Sequence, residues 1–185
     1  MLANERLTAS LGVLLLLGFA AEGVTILLGV KAVLPAHVFI GVLLVPPVML
    51  KVATTTYRMV RYYTGDPAYV DRGPPAWLLR VAGPLVVLST AVVLATGIAA
   101  VVIDPRPEWA DTGHKTGVLV WAGLMAVHVL GHARETPAKA SADWRRGRSV
   151  PGRRRRVLAM AGVVALGIAV ALWSLTWHLV TAGPG

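Results

Sequence analysis

Read from its first residue, the chain is a succession of long apolar runs separated by short polar connectors. Five runs stand out, at Leu7–Val30, Ala36–Tyr62, Trp77–Ile103, His114–Ala133 and Val157–Val180. Each is near or above the roughly 20 residues that a helix needs to cross the hydrocarbon core of a bilayer. The pattern therefore predicts an all-α integral membrane protein, with five transmembrane helices forming a single domain over residues 1–185. The first run has a short polar leader and small residues at Ala20 and Ala21, as a secretory signal would. It is longer than a signal's roughly 7–15-residue apolar stretch and no soluble domain follows, so it reads as a retained helix.

The connectors orient these spans. Fourteen of the 18 Lys and Arg residues fall on one side: Arg6, the connectors after the second and fourth runs, and the arginines that flank them. The other side holds Lys31, Arg106 and Lys115, while Lys51 lies inside a span. Under the positive-inside rule the N-terminus is cytoplasmic and the C-terminus outside, in a multi-pass protein of the cytoplasmic (inner) membrane. The Arg153–Arg156 run directly precedes a span, where basic residues fix orientation and meet anionic lipid. Membrane lipid, and not nucleic acid, is its expected partner. The connector Gly65–Pro75 is rich in Gly and Pro and reads as a turn-rich loop.

Composition narrows the chemistry. The chain is 56% apolar and 15% charged, against roughly 45–50% and about 25% for soluble domains, which excludes a soluble globular enzyme. It has no cysteine, so disulfides, iron–sulfur clusters, thiolate metal sites and covalently attached haem are excluded too.

Ionisable residues inside spans are costly and mark functional candidates. Here they are Glu22, Lys51, His37, His114, His128, His132 and His178, and every histidine of the chain lies within or at the end of a span. His114 and His128 are 14 residues apart, about 21 Å along a helix and about 40° short of four full turns. They share nearly one face, and His132 follows one turn later. The second span repeats the layout, with His37 at its outer start and Lys51 14 residues further in. Both spans run inward in the expected topology, so His37 and His114 lie at one depth and Lys51 and His128 at another. Two parallel helices that offer imidazoles at one depth suit a b-type haem held edge-on, with iron ligated by both. Gly41, Gly117 and Gly123 leave room nearby.

With its short loops, this His-x13-His pattern on a membrane helix beside a parallel partner resembles the bacterial cytochrome b561-type di-haem proteins. The stretches HVFIGVLLVPPVMLKVATTTYRMVRYY from His37 and HKTGVLVWAGLMAVHVLGH from His114 are similar to a group of small actinobacterial membrane proteins related to them. The resemblance covers the second to fourth spans; the first and fifth match in hydropathy only. It implies a haem-binding helical bundle, haem b held by paired histidines, and electron passage across or along the membrane. Lys51 stands where that pattern has a fourth histidine, so the implied haem count is one or two.

On this reading His37, His114 and His128 are the candidate iron ligands, with His132 and Lys51 completing the inner site. Lys51 has two readings: a neutral amine on iron opposite His128, or an ammonium paired with a propionate or a neighbouring carbonyl. His178 is an alternative outer ligand. His128 and His132, one turn apart, also have the spacing of a zinc or copper pair that lacks further ligands. Glu22 has several candidate roles: proton acceptor, partner of Lys31, quinone contact or bonded structural carboxyl. Arg106, Lys115, Tyr57, Arg58 and Arg61 are candidate propionate partners or topology anchors, and the tryptophans mostly form an interfacial belt. A quinone or a redox partner protein is the expected exchange partner. Any enzymatic role would be that of a quinol- or partner-linked oxidoreductase subunit. Two competing functions use the same residues differently: a proton-coupled transporter or channel-like subunit, and a structural subunit of a larger complex. The sequence leaves oligomeric state open.

Overall fold

A computed structural model describes residues 3–71, 73, 77–133, 136–141 and 151–181. Helices account for most of them: α1 Ala3–Leu27, α2 Leu34–Tyr63, α3 Pro67–Val70, α4 Trp77–Val102, α5 Glu108–His132, α6 Thr136–Ala140 and α7 Arg153–Thr181. Four, namely α1, α2, α4 and α7, are long and apolar enough to cross a membrane, which makes the chain a multi-pass membrane protein. Large apolar side chains point outward from them and from α5; Leu27 is 87% exposed and Leu119 and Leu130 are each 75% exposed. Such exposure suits hydrocarbon and would be unusual in water on this scale. The remaining expected span, the fourth at His114–Ala133, corresponds to α5, whose 25 residues are sufficient in length. His114, Lys115, His128 and His132 dilute its apolar character, and α5 is not among the four.

Helices extend past the apolar runs wherever charged residues continue them. α5 begins at Glu108, six residues before His114, directly after Pro107 in an extended conformation. Glu108 and Asp111 then occupy its first turn, where negative charge is favoured. α7 begins at Arg153, not at Val157. The connector expected as loop contains α3. Asp66 caps it by accepting from the Ala68 N–H at 3.0 Å, Pro67 takes the first turn, and Arg61 pairs with the Asp66 carboxylate.

The helices fall into two compact units. The first comprises Met1–Met59 and Thr136–Gly185, the second Val60–Glu135. Within the first, Gly29 adopts φ +82° just past the end of α1. This left-handed residue ends the helix and starts a tight turn that sends α2 back along α1. Contacts then step along both helices in opposite directions. Glu22 meets His37, Gly18 faces Leu44, Thr8 and Gly12 face Lys51, and Asn4 reaches Thr54.

α7 joins α2 at a point created by proline. Pro46 and Pro47 lie inside α2, and because proline has no N–H, the carbonyls of Val42 and Leu43 lose their usual helical donors. Gly167 of α7 sits so close to the Leu43 carbonyl that a Cβ there would overlap it. The missing side chain lets the α7 backbone come close to an oxygen that has lost its usual helical donor. In the second unit α4 and α5 also run antiparallel, with Gly131 against Leu79 at one end and Gly113 against Thr96 near the other.

Gly167→Ala should therefore destabilise the protein by about 1–3 kcal/mol, the usual scale of overpacking. Gly162→Ala, with nothing near its added carbon, should leave the melting temperature in detergent unchanged or slightly raised.

Candidate functional site

Three polar clusters occupy the helices, and each joins a side chain that carries chemistry to an acceptor on the neighbouring helix. The first is built on His37, whose backbone N–H bonds to the Val33 carbonyl at the start of α2. Its Nδ1 lies 2.8 Å from Thr25 Oγ1 and 3.0 Å from Glu22 Oε1, both on α1. Thr25 donates its own proton to the Glu22 carbonyl at 2.6 Å, so its oxygen is an acceptor towards histidine. His37 Nδ1–H therefore donates to Thr25, with Glu22 Oε1 close enough to share the same proton. The two side chains are 15% and 17% exposed, and Glu22 Oε2 is buried with no hydrogen-bond partner among the described residues. Gly41, one turn after His37, leaves space for the carboxyl; a Cβ there would stand 3.4 Å from Glu22 Oε1.

Lys51 forms the second cluster. Its Nζ donates to the Thr8 carbonyl of α1 at 2.6 Å, beside Gly12, where a Cβ would approach Nζ to 3.2 Å. Thr54 Oγ1 donates to the Lys51 carbonyl, and Asn4 donates to the Thr54 carbonyl. The Thr8 carbonyl is a neighbouring carbonyl, one of the partners considered for Lys51.

The third cluster lies in the second unit. His114 Nδ1 is 2.9 Å from the Val93 carbonyl of α4. A carbonyl only accepts, so Nδ1 carries the proton and the neutral ring has its lone pair on Nε2. The ring is seated over Gly97, where a Cβ would come within 2.9 Å of it. Two turns further along α5, Trp121 Nε1 donates to Thr90 Oγ1 at 2.9 Å, and Thr90 in turn donates to the Val86 carbonyl at 2.6 Å. His128 and His132 stack edge to face, with ring centroids 4.8 Å apart and planes at 65°.

His37 and Lys51 thus belong to one unit, and His114, His128 and His132 to the other. The expected pairing of His128 with His132 on one helix face is present. Glu22 finds its partner in His37. The His178 side chain lies outside the described residues, as do Arg72, Arg134 and the basic residues of 142–150. Among the described residues no three of His, Asp and Glu converge on a metal-ion site, so the zinc or copper reading of His128 and His132 gains no third ligand. Haem iron takes imidazole donors, and the described histidines are of that chemical type. His37 and His114 each have Nδ1 hydrogen-bonded, as second-shell partners do for metal-binding histidines.

Arg106 and Lys115, considered for propionates, are drawn to Asp111. Lys115 Nζ lies 2.5 Å and Arg106 Nη1 3.8 Å from its carboxylate oxygens. The Lys115 hydrogen bond, reinforced by the positive charge of both neighbours, holds the exposed Asp111 carboxyl below the ordinary aspartate range.

Thr25, Gly97 and the Thr90–Trp121 bond carry no motif that singles them out in sequence, and helix packing alone reveals them. Comparison of the chain with protein-family models, with characterised proteins and with solved structures finds no match.

Two outcomes follow from this geometry. Trp121→Phe should cost about 0.5–1.5 kcal/mol by removing a hydrogen bond between helices, whereas Trp109→Phe, at a side chain 61% exposed, should leave the melting temperature unchanged. In a carboxyl-carbon NMR titration of the detergent-solubilised protein, Lys115→Gln should move the Asp111 midpoint upward, because the neutral amide withdraws the largest source of its depression.

Proposed function

We propose that the protein is a b-type cytochrome of the cytoplasmic membrane, similar to the cytochrome b561 group, in which α5 forms a fifth span and the N-terminus is cytoplasmic. The observation that carries this reading is the shared tautomer of His37 and His114. Each uses Nδ1–H on an acceptor of the adjacent helix, Thr25 and Glu22 for one and the Val93 carbonyl for the other. Each consequently has the ligand lone pair on Nε2. Haem, when bound, supplies one-electron redox chemistry that no side chain of this chain provides.

The chain's own residues do the positioning. Thr25 and Val93 fix the ring orientations, and Gly97 gives the His114 ring its seat. By accepting from Nδ1–H, Glu22 Oε1 would make the His37 ring electron-richer, which would favour the oxidised state of an iron held by that ring. Lys51, bonded to the Thr8 carbonyl, acts in this reading as a helix-to-helix tie and not as an iron ligand, so the haem count favoured here is one. Electron exchange with a quinol or a protein partner completes the function.

A second reading, proton transfer through the membrane, is favoured by one observation, the contact between Glu22 and His37 in which Oε2 has no partner among the described residues. The two readings separate experimentally. Purified protein should carry protohaem, and His37→Ala and His114→Ala should each abolish or strongly reduce it, as measured by reduced-minus-oxidised absorbance and pyridine haemochrome. Glu22→Gln should retain haem with a higher midpoint potential. Unaltered haem in both histidine variants would overturn the ligand assignment. A haem-free wild type whose vesicles conduct protons, and lose that conductance in Glu22→Gln, would establish the second reading instead.

A further inference from the structure

The start of α7 combines two features that neither the histidines nor Lys51 uses. Arg153, Arg154 and Arg155 are exposed, whereas Arg156 is buried and donates through Nη1 to the Pro151 carbonyl at 3.0 Å. Gly152, at φ +74°, makes the turn, and its missing side chain leaves the space into which Arg156 folds, with Nη1 3.1 Å from where a Cβ would stand. Arg156 thereby locks the turn, and Arg153, Arg154 and Arg155 are exposed at the same end of the helix.

Directly below them an apolar groove of about 400 Å³ runs between α1 and α7, lined by Leu14 of α1 and by Val157, Met160, Ala161, Val164 and Ile168 of α7. The α7 residues recur every three or four positions and so form one stripe. Arg153 and Arg154 precede Val157 by four and three residues, which puts them on that same stripe one turn earlier. From Val157 to Ile168 the stripe runs about 16 Å along the helix, or about half of a ~30 Å hydrocarbon core.

We infer that this groove holds one acyl chain of an anionic phospholipid whose phosphate is bound by Arg153 and Arg154. The apolar walls and single-leaflet length suit a hydrocarbon chain, and charge complementarity selects an anionic headgroup over a zwitterionic one. Basic pockets beside membrane helices recognise lipid headgroups by this combination. A second helix, from another copy or a partner, would meet the three exposed arginines Arg153 to Arg155 at the mouth of the groove and would need matching acidic residues there.

The test is lipid retention by the full-length protein. Protein reconstituted in phosphatidylcholine doped with phosphatidylglycerol is extracted in mild detergent, and the bound lipid is counted by native mass spectrometry. Wild type should retain phosphatidylglycerol preferentially, and inorganic phosphate at equal ionic strength should not displace it. The exposed double variant R153Q/R154Q should lose that preference by roughly thirtyfold, as two basic contacts near the surface imply. Ala161→Phe, or Ala161→Leu where the ring prevents folding, should reduce retention with every arginine in place. Preference that survives in R153Q/R154Q would overturn the headgroup assignment. Retention that survives both groove substitutions would show that the arginines attract lipid without the groove. Displacement by inorganic phosphate would replace the lipid with a free anion, and a change of oligomeric mass in Ala161→Phe would replace it with a second copy of the chain.

Discussion

A polar side chain inside a span must be satisfied by protein, because the surrounding hydrocarbon offers no hydrogen bonds. That constraint organises this molecule. Lys51 reaches a carbonyl of α1, His37 reaches Thr25 and Glu22 of the same helix, and His114 reaches a carbonyl of α4. Each bond fixes the rotation and register of one helix against its neighbour, and small residues make the approach possible: Gly12 beside Lys51, Gly41 beside Glu22 and Gly97 beneath His114. The buried apolar core is modest, with Leu11, Leu44 and Pro47 among its fully enclosed side chains. Most large apolar residues face outward, where they contribute membrane affinity and little specificity.

The same constraint gives the histidines their chemical character. An imidazole placed in hydrocarbon to anchor a helix needs one ring nitrogen for that task. Binding Nδ1–H to a fixed acceptor performs it and leaves the lone pair on Nε2, the arrangement metal-binding histidines require. In the proposed reading, structural and ligand roles coincide in His37 and His114. The proline pair of α2 follows a related logic, since the carbonyl that Pro47 deprives of its donor is the one Gly167 approaches.

Hydropathy made most of the helices legible, because the length of an apolar run reports the thickness of the medium directly. It reports the span, however, and not the helix. Charged first turns carried α5 back to Glu108 and α7 back to Arg153. The histidines that make α5 a functional candidate also lower its apolar character below that of the other long helices. α3 hid within a Gly- and Pro-rich connector, although Asp66–Pro67 is a helix-start signature that a closer local reading recovers. The proximity of His128 and His132 was readable from spacing. Rotation about the helix axis was not, since partners such as Glu22 and His37, 15 residues apart, depend on the turn at Gly29 and on which face of α1 meets α2. Thr25, Thr90 and Trp121 look like ordinary membrane-helix residues until that packing is known.

In the proposed reading His37 and His114 would hold haem iron through Nε2, and the ferric state tests that most directly. Electron paramagnetic resonance of the oxidised, purified wild-type protein should give a low-spin ferric signal with the anisotropy of two imidazole ligands, unchanged by added imidazole. A high-spin signal that converts to low spin when imidazole is added would mean an open coordination position. That result, or the absence of any haem iron signal in protein produced with ample haem supply, would contradict the account.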